Sequence, residues 1–295
     1  MPWMPEVFTA AAVARQPEDR PGDDLVGYYE GLLSEDRSAL ERSFAGEPRV
    51  NDPRVGHVEG TREFRAFVSG TVGWLRERDA TAENVALTRT PTRTVEEVML
   101  SLTNDQGRRV ELPVAIVADR NPERTLKTIR VYHSMWLLTG EHRVRPPLLP
   151  ADPNLHLEGV AGDYQRELAE GDVEGVLRTF EPDGYAREPS GEPYLHRGME
   201  GLRGFYEFIL AKGGIPLEHC TLTDDGHACA IEYNVIRWGD SEIPAQAGVA
   251  VYERGRSGLL SAARIYDDVD PPKTLMEPLE DEEVERPWWR RFLGG

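Results

Sequence analysis

The 295-residue chain sets 34 Lys and Arg against 52 Asp and Glu, a formal charge of −18 at pH 7. That balance argues against a nucleic-acid binder, which needs clustered cations for the phosphates, and no apolar run approaches the ~20 residues of a membrane span. A hydrophobic share of 39% over this length predicts an ordinary globular protein of two domains, with cores that need no staples.

Residues 1–22 lack the basic start and apolar run of a signal peptide and read as a disordered leader. From there the chain is written twice. "YYEGLLSEDRSALERSF" (28–44) aligns without a gap on "YQRELAEGDVEGVLRTF" (164–180), with Tyr28 on Tyr164, Leu32 on Leu168 and Phe44 on Phe180. The spacing of four predicts an apolar helix face. Asp36 and Asp172 fall at a break and predict the N-cap of a second helix.

A short strand follows, "RVNDP" (49–53) on "YAREP" (185–189), which puts Asp52 on Glu188. A third helix begins after Gly60 and Gly198, and three or four long strands in hairpins come next. There Glu83 meets Glu218, Glu97 meets Glu232, and "KTIRVYHS" (127–134) meets "SAARIYDD" (261–268). Strands of mixed polarity beside grouped helices predict an α+β class, with an antiparallel or mixed sheet covered by helices. The proline-rich stretch 141–156 predicts a stiff linker between a first domain at 23–140 and a second at 157–272. Residues 273–295 form a tail, acidic and then rich in Trp and Arg.

Cys220 and Cys229 flank a hairpin turn at Asp225-Gly226 without facing each other. They read as the reduced thiols of a cytoplasmic protein. No spacing of His or Cys predicts a metal site, and no phosphate loop or nucleophile elbow is present.

The ordered elements, the "NDP" and "REP" strands and the endings "RVYHS" and "RIYDD" resemble the SnoaL-like branch of the nuclear-transport-factor-2-like superfamily. That superfamily includes ketosteroid isomerases, limonene-type epoxide hydrolases, polyketide cyclases and scytalone dehydratase. The two fused copies are similar in layout to polyether epoxide hydrolases. The resemblance implies two cone-shaped α+β barrels, each a curved sheet around three helices with a pocket inside, working without a cofactor. It implies an acid pair in each copy, Asp52 with Glu83 and Glu188 with Glu218, Glu replacing Asp in the second. The limonene-type Asp-Arg pair has no match in "AGVAVYE" (247–253). The family also pairs through its sheets, which implies a pseudo-dimer within one chain, with a homo-oligomer also open.

Other candidates come from the residues themselves. Two carboxylates in a low-dielectric pocket split their pKa values into an acid and a base; at a solvated rim they do nothing of the kind. Ala230, Glu232 and Asn234 share one strand face, with Glu97 at the matching place; Glu232 lines a pocket or pairs with Arg264. Arg264, Tyr266 and Asp268 alternate down the last strand, and Arg130 and Tyr132 repeat the first two, with Ser134 in place of Asp268. If that row faces the hollow of the cone, Arg264 holds an acid ionised and Tyr266 donates to a developing oxyanion. His196 lies on a loop at the cone mouth, a place for substrate contact or plain surface. His133 offers a base near neutral pH, but it points away from Tyr132, which favours a structural or interface histidine.

The chain thus reads as an isomerase, cyclase, dehydratase or epoxide-opening hydrolase of a small apolar oxygenated molecule. Glu188, Glu218, Glu232, Tyr266 and Asp268 make the second copy its better catalytic candidate. The alternative is a non-catalytic small-molecule-binding or assembly protein.

Overall fold

The computed structural model describes residues 27–34, 36–123, 125–191 and 194–272. The expectations for the leader and the tail lie outside the described residues.

The first half opens with α1 (Tyr28–Leu33) and α2 (Arg37–Arg42). It continues through β1 (Arg49–Asp52), β2 (Gly56–Glu59) and α3 (Thr61–Glu77) to β3 (Thr81–Arg89). It closes with β4 (Arg93–Thr103), β5 (Arg109–Arg120), β6 (Leu126–Tyr132) and the single turn α4 (Trp136–Thr139). The second half repeats the plan. It runs α5 (Gly159–Glu170), α6 (Val173–Arg178), β7 (Phe180–Arg187), β8 (Leu195–Arg197) and α7 (Gly198–Ile209). Then come β9 (Leu217–Asp224), β10 (Ala228–Trp238), β11 (Ser241–Arg254) and β12 (Leu260–Tyr266).

Each half is an α+β cone. Its six-stranded sheet has the order β2-β1-β6-β5-β4-β3, matched by β8-β7-β12-β11-β10-β9. Only the β1–β6 and β7–β12 pairs are parallel. The caps form where the sequence places them: Asp36 accepts from the Ala39 N–H at 2.9 Å, and Asp172 from Gly175 at 2.9 Å. Each cap satisfies one of the orphan donors of a helix start.

Even the irregularities are duplicated. Val85 is skipped in the β3–β4 pairing and Cys220 in the β9–β10 pairing. A bulge shifts the register by one residue and bends the strand. Here it sets Glu97 opposite Ala86 and Glu232 opposite Thr221. Cys229 pairs with Asp224, far from Cys220 in register, and both are free thiols.

The helices fill the concave face of each sheet. In the first half Leu32, Phe64 and Leu75 pack on Val98, Leu100 and Ile116. The second half is more aromatic: Tyr164, Phe180, Phe205, Tyr206 and Tyr252 touch one another with ring centroids 4.9 to 6.1 Å apart. Their hydroxyls are paired inside the core, Tyr164 with Tyr206 at 2.9 Å and Tyr252 with Gln165 at 2.6 Å.

The convex faces of the two sheets are also buried, against each other. Val95, Ala115, Val117 and Tyr132 of the first half meet Ala230, Val249, Val251 and Tyr266 of the second. Sheets buried on both sides lose the plain apolar-polar alternation of a half-wet sheet. The stretch after α4 is drawn into the second half, with the Ala247 N–H bonded to the Arg145 carbonyl at 2.9 Å and Asp152 to His219 at 2.8 Å.

Candidate functional site

The polar row of the last strand does not face the hollow of the cone. Arg264 is 2% exposed, and it lies between the sheets. Its Nε and Nη2 donate to the two carboxylate oxygens of Glu97, in the other half, at 2.6 and 2.9 Å. Tyr266 donates to the same carboxylate at 2.5 Å, and Nη1 of Arg264 reaches Glu253 at 2.9 Å. The mirror cluster uses the partner residues. Arg130 donates to Glu232 at 2.5 and 2.8 Å, Tyr132 to Glu232 at 2.7 Å, and Arg130 to Asp119 at 2.6 Å.

The sequence alternation was right and the face was inverted. Glu232 pairs with Arg130 instead of Arg264, because the ion pairs cross between the halves. Burial pushes both Glu97 and Glu232 up, but the guanidinium charge and its hydrogen bonds outweigh it and hold each carboxyl below the usual range. These six residues are bonded into the sheet-to-sheet contact.

Asn234 is on this face too; its amide donates to the Leu149 carbonyl at 3.1 Å. Glu83 and Glu218 are exposed near the starts of β3 and β9. Glu188 is half-buried and bonds His196 at 2.6 Å, whose ring stacks on Phe205 at 4.3 Å. So neither acid pair forms a shared low-dielectric site: Asp52 is 5% exposed while Glu83 is open to water.

The cavity lies elsewhere. It measures about 250 Å³ and sits at the mouth of the first cone beside the sheet-to-sheet contact, lined by Asp52, His57 and His133 and by Arg143, Arg145 and Leu148. Asp267 and Asp268 of the second half complete its wall. A smaller space of about 10 Å³, room for one water, lies deeper among Tyr28, Tyr29, Arg54 and Trp74. Asp52 and His133 line both spaces.

Local structure fixes each group. Asp52 ends β1, and its Oδ1 accepts the N–H groups of Arg54 at 2.9 Å and Val55 at 3.1 Å, an Asx-type turn. The Arg54 guanidinium stacks on Trp74 at 4.0 Å and stands 3.8 Å from Asp52. His133 is 4% exposed, and its Nδ1 is 3.1 Å from the Ser134 carbonyl. A carbonyl only accepts, so the assigned tautomer carries its proton on Nδ1 and keeps a lone pair on Nε2. Burial holds His133 below the usual imidazole range, against the pull of Asp52. At neutral pH it is an uncharged acceptor.

Asp268 closes the mouth. It accepts from Ser134 Oγ at 2.6 Å, from His142 at 3.0 Å and from the Arg143 N–H at 2.8 Å. Ser134 and Asp268 occupy the same place in the two copies, so the substitution that distinguishes them makes a donor-acceptor pair.

Asp267 accepts from Tyr233 at 2.7 Å on the concave side, and burial pushes its carboxyl up to about 6. The folded chain therefore keeps a proton there that the unfolded chain, at the ordinary 3.8, has lost. Stability from this group is full below about pH 4 and is lost as pH rises through about 6. Asp267→Asn should remove that slope, gaining on the wild type between about pH 4 and pH 7 in urea unfolding. Parallel pH profiles would contradict this account.

His133, Arg143, Arg145, His142 and Asp267 were not among the residues the sequence pointed to as a site. For His133 the signal existed: it alternates with Tyr132, and assigning Tyr132 to the convex face places His133 inside. The linker residues carried no such signal, since "HRVRPP" (142–147) reads as a spacer. Among the described residues no group of three or more His, Cys, Asp or Glu is placed to hold a metal ion. No described helix is long and apolar enough to cross a membrane.

No protein-family model matches the chain, and no curated protein does. Similar solved structures include an uncharacterized cystatin-fold protein of Novosphingobium aromaticivorans, 18% identical, TM-score 0.32, covering 36% of this chain and 93% of its own. Another is SalBIII, an epoxide hydrolase/cyclase-like enzyme of pyran ring formation in the polyether salinomycin. It is 20% identical at TM-score 0.29, over 35% of this chain and 82% of its own. A putative polyketide cyclase of Sinorhizobium meliloti is 17% identical at TM-score 0.31, over 37% and 94%. Each spans about a third of this chain.

Proposed function

We propose that this chain binds a small oxygenated molecule at the mouth of the first cone, where Asp52 and His133 move protons to and from it. One observation carries the reading: two buried proton acceptors, a carboxylate and a neutral imidazole, line the same two neighbouring spaces. A charged base beside an uncharged acceptor, away from bulk water, suits proton abstraction next to a carbonyl, the group that takes the proton returning it to another atom of the same molecule. A volume of about 250 Å³ falls just under the usual range for drug-sized ligands, which begins near 300 Å³. Pro53, Met135, Val144 and Ala247 give it apolar wall.

The active half on this reading is the first, with the second contributing Asp267 and Asp268. The crossed ion pairs support an intrachain pseudo-dimer, held by the residues that otherwise resemble pocket groups. A second reading, a non-catalytic binding protein, draws support from the second core, since neither cavity is lined by its aromatic residues.

Ligand-observed NMR against small ketones, epoxides and hydroxy compounds tests the binding step. Val144 is 56% exposed at the cavity rim, so Val144→Trp should narrow the mouth without disturbing a core. Binding is expected in the wild type and lost in Val144→Trp. Ligands that bind both proteins equally would place the site elsewhere.

A further inference from the structure

The charges around the cavity are not evenly spent. Each acid in its wall is already answered. Asp52 has Arg54 at 3.8 Å and two backbone donors. Asp268 has His142, Ser134 and the Arg143 N–H. Asp267 is bonded to Tyr233 and the Val269 N–H.

The two arginines are different. Arg143 donates Nη1 to the carbonyls of Pro53 at 3.2 Å and Arg54 at 3.4 Å. Arg145 donates Nη1 to the Val131 carbonyl and Nη2 to the Asn51 carbonyl at 3.2 Å, and stacks on Tyr132 at 4.7 Å. Carbonyls fix a guanidinium in place but do not cancel its charge. Among the described residues neither arginine has a carboxylate within 4.0 Å of its guanidinium, whereas Arg130 and Arg264 each have two.

The contrast shows in their basicity. Glutamate partners outweigh burial and raise Arg130 and Arg264, but burial prevails at Arg145 and lowers it. Arg187 repeats the stacking of Arg145 in the second half, over Tyr266 at 5.1 Å, so the ring contact alone is a structural role. Arg187 also donates to the Tyr266 hydroxyl beside Glu97, whereas Arg145 lines the cavity.

We propose that Arg143 and Arg145 bind the carboxylate of a small organic acid whose apolar body lies in the cavity towards Asp52 and His133. This rests on the cavity being a ligand site and adds the charge of its ligand. A guanidinium offers five donors in a planar fork that fits a carboxylate bidentately. Each arginine spends two of its five guanidinium donors on carbonyls, which leaves donors for a ligand. An anion at this place also supplies the counter-charge that the half-buried Arg145 guanidinium lacks.

The test uses the full chain and three probe pairs: benzoate, cyclohexanecarboxylate and hexanoate, each against its primary amide. Calorimetric titration at fixed ionic strength is expected to show at least one acid bound about tenfold or more tighter than its amide. Arg143→Gln, at an exposed position, should erase that preference while leaving the thermal midpoint near wild type. Arg145→Gln should erase it too but is the riskier fold. Amides that bind as tightly as acids, with displacement by Val144→Trp, would overturn the anion assignment and keep the cavity. Acid binding unchanged in Arg143→Gln and Arg145→Gln, or no binding by any probe, would overturn it as well.

Discussion

Arg264→Met should lower the stability of the chain by about 3–5 kcal/mol in urea unfolding at neutral pH. Glu97 is wholly buried and takes two hydrogen bonds from that one guanidinium. Methionine fills much of the volume but leaves the carboxylate with Tyr266 as donor and only the more distant Arg187 as a cation. The cost is that of an uncompensated buried charge, which is larger than the net worth of the pair. A second signature follows. The stranded Glu97 should take up a proton well above the usual carboxylate range, so the loss should shrink as pH falls from about 7 towards 5. Pairing the change with Glu97→Leu should recover a good part of the loss, because an apolar pair avoids the desolvation of both ions. The exposed pair Arg203–Glu174 is the control, and Arg203→Met should barely move the curve. An Arg264→Met chain as stable as that control would refute the role given to the cluster. The mirror variant, Arg130→Met, leaves Glu232 with Tyr132 and Thr221 and should behave alike.

Asp52→Asn should slow proton transfer in the cavity by about 10²- to 10⁴-fold. Asparagine keeps the size of the side chain, and its carbonyl can still accept from the Arg54 and Val55 N–H groups. What it removes is the carboxylate base beside His133. Solvent deuterium uptake next to the carbonyl of bound ketones, followed by mass spectrometry, reads that step directly. His133→Gln keeps an acceptor but loses the imidazole, and should impair exchange while ligand still binds. Saturable binding with no deuterium uptake by wild type would favour the non-catalytic reading. Uptake equal in wild type and Asp52→Asn would remove Asp52 from the chemistry.

The face inversion in the last strands explains why the site was only partly legible. Period-two alternation groups Arg264 with Tyr266 and separates His133 from Tyr132, and both groupings hold. It does not say which group faces the helices. A row of Arg, Tyr and Glu looks the same whether it lines a pocket or is buried between two sheets. The deciding fact is that Glu97 and Arg264, 167 positions apart, meet across the contact between the halves. Nothing local encodes that. Asp52 was named through the resemblance, paired with Glu83, and the structure buries Asp52 while leaving Glu83 in water.

Duplication, helix order, caps and hairpins were thus written in the sequence, because each depends on neighbours within a few residues. The matching bulges at Val85 and Cys220 belong to the same repeat, though only pairing reveals them. Tertiary structure decided which carboxylates lost their water and which cations kept a free charge. It set Asp268 on Ser134 and brought Arg143 and Arg145 over the first cone. Burial and counter-charge are properties of surroundings assembled from distant segments, and those surroundings exist only once the two halves have packed.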